Sequence, residues 1–135
     1  MRIRANDLLY FSFHEGFTKR LLSGELRLKD SGILEYVLKR YPDVNKDGTI
    51  SLNPFVLDEI LGLLTSRDIH VLMNEYNGGW DDMGSSFFEF QLGESVKSVQ
   101  INEIIDRQAL STDVEKLLFG INDKLILICS DLIST

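Results

Sequence analysis

Apolar side chains in the first third of the chain recur at spacings typical of helices. Positions 9, 13, 17 and 21 are apolar and four residues apart, and they follow Asn6 and Asp7, two residues that cap helices well. A second stripe, at positions 33, 34, 37, 38 and 41, stops at Pro42. We therefore expect helices over 7–23 and 31–41, with residues 25–29 forming a short strand or a lead-in to the second helix.

A third helix is predicted where Asn53 and Pro54 supply an N-cap and a first helical position. The pattern indicates that this helix ends at Thr65. Its apolar face would be formed by Phe55, Leu57, Ile60, Leu61 and Leu64. Residues 69–76 fit a strand or a helix.

The second half of the chain is predicted to supply the sheet. Apolar and polar residues alternate over 86–92 and 96–101, on either side of Gly93 and Glu94, which is the pattern of a β-hairpin. Residues 125–129 are apolar throughout, as in a strand buried on both faces. Cys129 within this run is expected to be an unreactive core residue.

Two capping signals lie between these strands. Asn102 has the residue type of an N-cap for a short helix that ends at Leu110. Thr112 and Glu115 have the spacing of a capping box, so a further helix should end near Phe119, before a turn at positions 120–123.

These elements predict an α+β fold in which N-terminal helices pack on a mainly antiparallel sheet from the C-terminal half. A length of 135 residues suits one domain, so we expect residues 1–135 to form a single globular domain. With one cysteine there is no intrachain disulfide, and no apolar run approaches the roughly 18 residues of a membrane helix. We expect a cytoplasmic protein that does not bind membranes.

The net charge of −7 is unevenly distributed. Residues 1–40 carry eight basic and five acidic side chains, whereas residues 41–135 carry six basic and sixteen acidic ones. Lysine and arginine are absent between Arg67 and Lys97, a window with six carboxylates. Such a field repels nucleic acid and attracts a basic protein surface.

The same window contains aromatic residues that are frequent anchors at interfaces. We therefore assign partner binding to Glu75, Tyr76, Trp80, Asp81, Asp82 and Glu89. The alternative is a solvated acidic surface with Trp80 packed in the core.

Oxygen-bearing side chains alternate at Asp43, Asn45 and Asp47, and Gly48 follows them. This spacing resembles the first half of an EF-hand calcium loop. The twelfth position is Pro54, where that family has a bidentate glutamate, so the loop is incomplete. The alternatives are a capped turn between two helices and a calcium site in which Asp43, Asn45 and Asp47 bind the ion weakly.

Motifs of enzymatic chemistry are missing from the sequence. It has no His-x-x-x-His, Cys-x-x-Cys or Gly-x-Ser-x-Gly spacing and no glycine-rich phosphate loop. His14 has no orienting partner or nucleophile nearby in the sequence, so we assign it to the surface. We expect neither enzymatic activity nor a bound cofactor.

The size, the acidic charge and the absence of catalytic motifs resemble those of bacterial toxin-immunity proteins of the contact-dependent growth inhibition type. The resemblance implies that the chain binds and neutralises a basic partner, a cognate toxin domain of nuclease type. The alternative function is a calcium-binding module that uses residues 43–51.

Overall fold

The computed structural model describes residues 2–15, 22–77, 84–102 and 112–135. These residues form seven β-strands, two α-helices and one short 3-10 helix. In chain order the elements are β1 (Asp7–His14), β2 (Leu22–Lys29), β3 (Ile33–Arg40), β4 (Val44–Ser51), α1 (Pro54–Thr65), the 3-10 helix (Arg67–Val71), β5 (Glu75–Asn77), β6 (Ser85–Leu92), β7 (Ser95–Asn102) and α2 (Asp113–Ile133).

The seven strands form one sheet in the order β4-β3-β2-β1-β6-β7-β5. Neighbouring strands are antiparallel except β5 and β7, which are parallel. Both α-helices cover one face of this sheet, and the core lies between them and the strands. The opposite face, which we call the open face, carries no helix among the described residues.

The predicted arrangement of N-terminal helices on a C-terminal sheet is wrong. The N-terminal part supplies β1 to β4, and the longer helix, α2, comes last in the chain. The α+β content itself is confirmed. Strands lie both before and after α1 in the chain. They form one sheet because the central strand β1 pairs with β6, more than seventy residues later.

The first predicted helix is a strand where the structure describes it. β1 buries Leu9, Phe11 and Phe13 on its core face. A spacing of four places two residues on the same side of a helix, but it also does so in a strand, where every second residue shares a face. Residues 16–21, which include the end of the predicted helix, lie outside the described residues.

The second predicted helix is strand β3. Leu34, Tyr36 and Leu38 are buried at alternate positions, whereas Val37 and Tyr41 of the predicted helical stripe are exposed. Residues 25–29 belong to β2, so the strand alternative was correct there.

The stretch that begins at Asp43, predicted as a capped turn between two helices, is mostly strand β4, which pairs with β3 along its whole length. Gly48 does not form a sharp turn. The Tyr36 ring lies across it, so a Cβ atom at position 48 would be 2.7 Å from the Tyr36 hydroxyl oxygen. The glycine is therefore needed for packing within a strand.

Helix α1 begins and ends as predicted. The Asn53 side chain accepts a hydrogen bond of 2.8 Å from the Phe55 N–H, and Pro54 is the first helical residue. The predicted apolar face is partly wrong. Val56, Ile60 and Leu63 are buried, whereas Phe55 is 80% exposed.

Helix α2 also begins at the predicted capping box. Thr112 Oγ1 accepts a hydrogen bond from the Glu115 N–H and donates one to its carboxylate. The predicted turn at 120–123 and strand at 125–129 are wrong, because the helix continues to Ile133. Its buried stripe repeats at helical spacing, as Val114, Leu118, Ile121, Leu125 and Cys129.

The predicted hairpin is confirmed as β6 and β7, with Gly93 at positive φ in the two-residue turn. Of the ambiguous residues 69–76, positions 69–71 end the 3-10 helix and positions 75–76 begin β5, with a short connection between them. The short helix predicted after Asn102 lies outside the described residues, since positions 103–111 are not described.

Candidate binding surfaces

Tyr76, one of the predicted partner-binding residues, is buried under α2. Its hydroxyl donates a hydrogen bond of 2.8 Å to the Glu115 carboxylate and accepts one from the Met73 N–H. The ring packs edge-on against Phe119, with 5.4 Å between ring centroids. Burial, together with the hydrogen bond to Glu115, raises the pKa of Tyr76 to about 12. Tyr76 therefore joins β5 to the start of α2 and presents no surface to a partner.

Glu89 is buried as well, and it holds the N-terminal segment against the open face. Its carboxylate accepts hydrogen bonds from the backbone N–H groups of Arg2, at 2.7 Å, and Ile3, at 3.0 Å. Glu75, by contrast, is exposed on β5, where its carboxylate accepts a hydrogen bond from Asn102. These two carboxylates therefore do not form one surface.

The other three predicted partner-binding residues, Trp80, Asp81 and Asp82, lie outside the described residues.

The proposed calcium ligands do not surround one point. Asp43 lies in the turn before β4, and Asn45 and Asp47 follow along the extended strand. Alternate side chains of a strand are about 6.7 Å apart along its axis, whereas oxygen ligands of one Ca²⁺ ion lie within about 5 Å of each other. Among the described residues, no group of three or more histidine, cysteine or acidic side chains is placed to hold a metal ion.

An ion-pair network occupies one end of the open face. The buried Asp7 carboxylate pairs with Arg27 at 2.9 Å and with Lys29 at 2.5 Å, and it accepts a hydrogen bond from the Arg4 N–H. Burial alone would raise the pKa of Asp7. The hydrogen bonds from Lys29, Arg4 and Arg27 outweigh burial and hold the pKa below its ordinary value of 3.8.

His14 and Ser85 form a cross-strand pair at the other end of this face. They are directly opposite in the β1–β6 register, and 2.7 Å separates His14 Nε2 from Ser85 Oγ. In a neutral His14 ring, Nδ1 donates to the Glu15 carbonyl oxygen 3.3 Å away, which can only accept, and Nε2 then accepts from the Ser85 hydroxyl. The pair borders an open cavity of 420 Å³ that Tyr10 and Glu25 also line.

This pair has part of the geometry of an activated serine. A nucleophilic serine also needs hydrogen-bond donors for the developing oxyanion. Among the described residues, His14 and Ser85 form a side-chain hydrogen bond across two paired strands, and this bond alone does not make Ser85 a nucleophile. No local pattern signals this pair, because the two residues are 71 positions apart in the sequence.

Cys129 is fully buried in α2, as its apolar neighbours predicted. Burial raises the pKa of this thiol to about 12, so it stays protonated at neutral pH.

Among the helices and strands that the structure describes, the surplus of negative charge lies on the helices. The seven strands contain six carboxylates and six lysine or arginine side chains. The two α-helices and the 3-10 helix contain seven carboxylates and three such cations. The helical side of the molecule is therefore the acidic one, while the sheet is balanced.

The same side exposes large apolar residues. Phe55 is 80% exposed at the start of α1, Leu61 is 39% exposed further along this helix, and Leu127 is 61% exposed on α2. An ion pair between Glu59 and Lys124 joins the exposed sides of the two helices. Phe55 is one turn from Glu59, and Leu127 is one turn from Lys124.

We call this set the helix-layer surface. It consists of Phe55, Asp58, Glu59, Leu61, Lys124 and Leu127.

Comparison with known proteins does not identify a family for this chain. No protein-family model matches the sequence, and no curated protein is significantly similar to it. In the described parts of the chain, neither α-helix combines the length and the apolar character that a membrane crossing requires.

The helix-layer surface was missed at the level of the sequence for an identifiable reason. Phe55 and Leu61 are large and apolar, and they were therefore expected on the buried face of α1. The alternative stripe of Val56, Ile60 and Leu63 also has helical spacing and was present in the sequence. The position of Asp58, between Phe55 and Leu61, was the signal that these residues face solvent.

Proposed function

We propose that this protein binds a basic protein and blocks its activity, in the manner of an immunity protein that neutralises a cognate toxin. The observation that carries the proposal is Phe55, a largely exposed aromatic side chain on the acidic side of the molecule. Aromatic side chains that become buried at an interface contribute a large share of its binding energy, and surrounding carboxylates attract a basic partner.

A nuclease-type toxin domain has the chemistry that suits this surface. A nuclease needs cationic side chains to hold the phosphate backbone, and these are complementary to carboxylates such as Asp58. In the proposed complex Phe55 fills an apolar pocket of the toxin, while Asp58 pairs with a lysine or arginine at the rim. Inhibition is stoichiometric and takes place in the cytoplasm, where an immunity protein meets its toxin.

The test is to measure by calorimetry how tightly the wild type and the Phe55→Ser variant bind the product of the gene directly upstream. Loss of a central aromatic anchor costs about 2 kcal/mol or more, so we expect a dissociation constant at least roughly 30-fold higher. Val71→Ser is the matched control, because Val71 is 56% exposed in the 3-10 helix, outside the helix-layer surface. Equal affinity of Phe55→Ser and the wild type would show that this surface is not the binding site.

Trp80, Asp81 and Asp82 remain a second proposed surface for the same partner. A variant with alanine at all three positions separates the two surfaces. If it loses affinity while Phe55→Ser does not, partner binding belongs to the window predicted from the sequence. If the upstream gene product binds neither the wild type nor any variant, the immunity function itself is wrong.

A further inference from the structure

The two edges of the sheet differ in length and chemistry. One edge is β5, which has three residues. The other is β4, which has eight residues and pairs with β3 in an unbroken register from Val44 to Ser51. Among the described residues, no strand pairs with β4 on its other side. An edge of this length presents a row of backbone N–H and C=O groups to another chain.

β4 lacks two of the usual means of protecting an edge, although it carries the charged residues Lys46 and Asp47. It contains no proline and no bulge. Its one lysine, Lys46, does not project across the edge, because its ammonium group donates to the Leu132 carbonyl oxygen and to the Thr135 hydroxyl, both at 2.7 Å. Lys46 thereby supplies a positive charge at the C-terminal end of α2, where the helix dipole favours one.

The side chains of β4 differ between its two faces. Asn45, Asp47 and Thr49 are exposed on the open face, and the register partner of Asp47 is the apolar Val37. On the core face, Ile50 is half-buried against the core and Val44 is 44% exposed. An added strand would therefore meet polar side chains that include the Asp47 carboxylate on one face. On the other face it would meet Val44 and Ile50 towards the two ends of β4, with Lys46 and Gly48 between them.

We propose that β4 binds an extended segment of another protein, in which cationic or hydroxyl residues alternate with β-branched apolar ones. The segment adds an eighth strand through backbone hydrogen bonds. Its cationic residues lie beside Asp47, and its apolar residues extend the core past Ile50. A second copy of this chain is a poorer occupant, because pairing two β4 strands brings together two molecules that each have a net charge of −7.

The test uses the acetylated heptapeptide Lys-Val-Thr-Val-Lys-Val-Thr with a fluorescent label, and anisotropy measures its binding to the full chain. Two control peptides carry N-methyl groups on alternate backbone nitrogens, one for each edge of the peptide strand. Their charge and side chains are unchanged. We expect one of these two peptides to bind at least roughly tenfold more weakly, because only the edge that faces β4 needs its N–H groups.

Protein variants locate the site. Asp47→Lys should weaken binding of the lysine peptide by roughly tenfold and favour a peptide with glutamate in place of lysine, because a cross-strand attraction becomes a repulsion. Glu94→Lys in the β6–β7 turn makes the same change in net charge and should leave a peptide on β4 bound. Equal effects of the two variants, or equal binding of all three lysine peptides, would overturn the proposal.

This assay is independent of the proposed immunity function, since it needs no toxin. A protein that binds the peptide but not the upstream gene product would retain the β4 site and lose the immunity proposal. Concentration-dependent dimerisation that Asp47→Lys changes would instead assign the edge to a second copy and contradict the proposed occupant.

Discussion

At the residue scale, the features that sequence reasoning recovered are those with local partners. Asn53 and Thr112 cap α1 and α2 through hydrogen bonds that span three positions or fewer, so their spacing is visible in the sequence. Asp7 was expected to have the same role and has a different one. Its partners Arg27 and Lys29 are twenty or more positions away, and only the pairing of β1 with β2 brings them together.

Asp7 should make the stability of the protein depend on pH below the ordinary carboxyl range. Its folded-state pKa is lowered from 3.8, so its ionised form favours folding at neutral pH. That contribution is present above pH 3.8 and is lost as the pH falls through the lower folded-state pKa. We expect Asp7→Asn to lower the free energy of unfolding by about 2 kcal/mol at neutral pH, since it breaks a buried ion pair.

Urea unfolding of wild type and Asp7→Asn across the acidic range measures this effect. The difference between the two proteins should shrink as the pH falls below the ordinary carboxyl value. Glu35→Gln is the control, because Glu35 is half-exposed and lies 3.9 Å from Lys29. A difference that stays constant down to the lowest pH would mean that the Asp7 charge does not stabilise the fold.

At the element scale, the errors come from spacings that helices and strands share. Positions four apart share a face in both, so the stripes in β1 and β3 fitted either element. Leu34, Tyr36 and Leu38 are apolar at alternate positions, and the apolar Val37 between them obscured this strand pattern. Asp43, Asn45 and Asp47 illustrate the same degeneracy, because EF-hand ligands occupy alternate positions and so does one face of a strand.

Gly48 provides a test of the β3–β4 packing. Alanine usually stabilises a glycine position by restricting the unfolded chain, but here its methyl group would lie 2.7 Å from the Tyr36 hydroxyl oxygen and 3.0 Å from Cζ. We expect Gly48→Ala to lower the free energy of unfolding by about 1–2 kcal/mol. Tyr36→Phe in the same protein should recover part of the loss, because it removes the closer of these atoms.

Gly62→Ala is the matched control for this substitution. Gly62 lies in α1, and a methyl group added there would have no neighbour within 4 Å, so alanine should stabilise the protein by about 0.5–1 kcal/mol. Chemical denaturation of the variants, and of the double variant, measures the coupling between positions 36 and 48. Additive effects at these two positions would contradict the packing of Tyr36 across Gly48.

At the scale of the whole molecule, the net charge was available from the sequence and its location was not. In the sequence, six carboxylates lie in the window between Arg67 and Lys97, which has no lysine or arginine. The fold does not bring the described members of this window to one surface. Tyr76 and Glu89 of that window are buried, while Asp58 and Asp131 of the helices are exposed. Which carboxylates share a surface depends on the order of strands and on the face that the helices cover, and both are set by contacts between distant parts of the chain.

Because the helical side of the molecule is the acidic one, a cationic peptide should bind to the carboxylates of the helices more strongly than to those of the sheet. We expect Asp58→Asn with Asp131→Asn to reduce the affinity for a labelled decalysine peptide about threefold to tenfold at low ionic strength. Glu35→Gln with Glu94→Gln changes the net charge by the same amount, on β3 and in the β6–β7 turn, and it should have a smaller effect. Because the attraction is screened by salt, the difference between the two double variants should disappear as the ionic strength rises. Equal losses for the two would mean that the probe senses only the net charge and that the fold does not concentrate the carboxylates on the helical side.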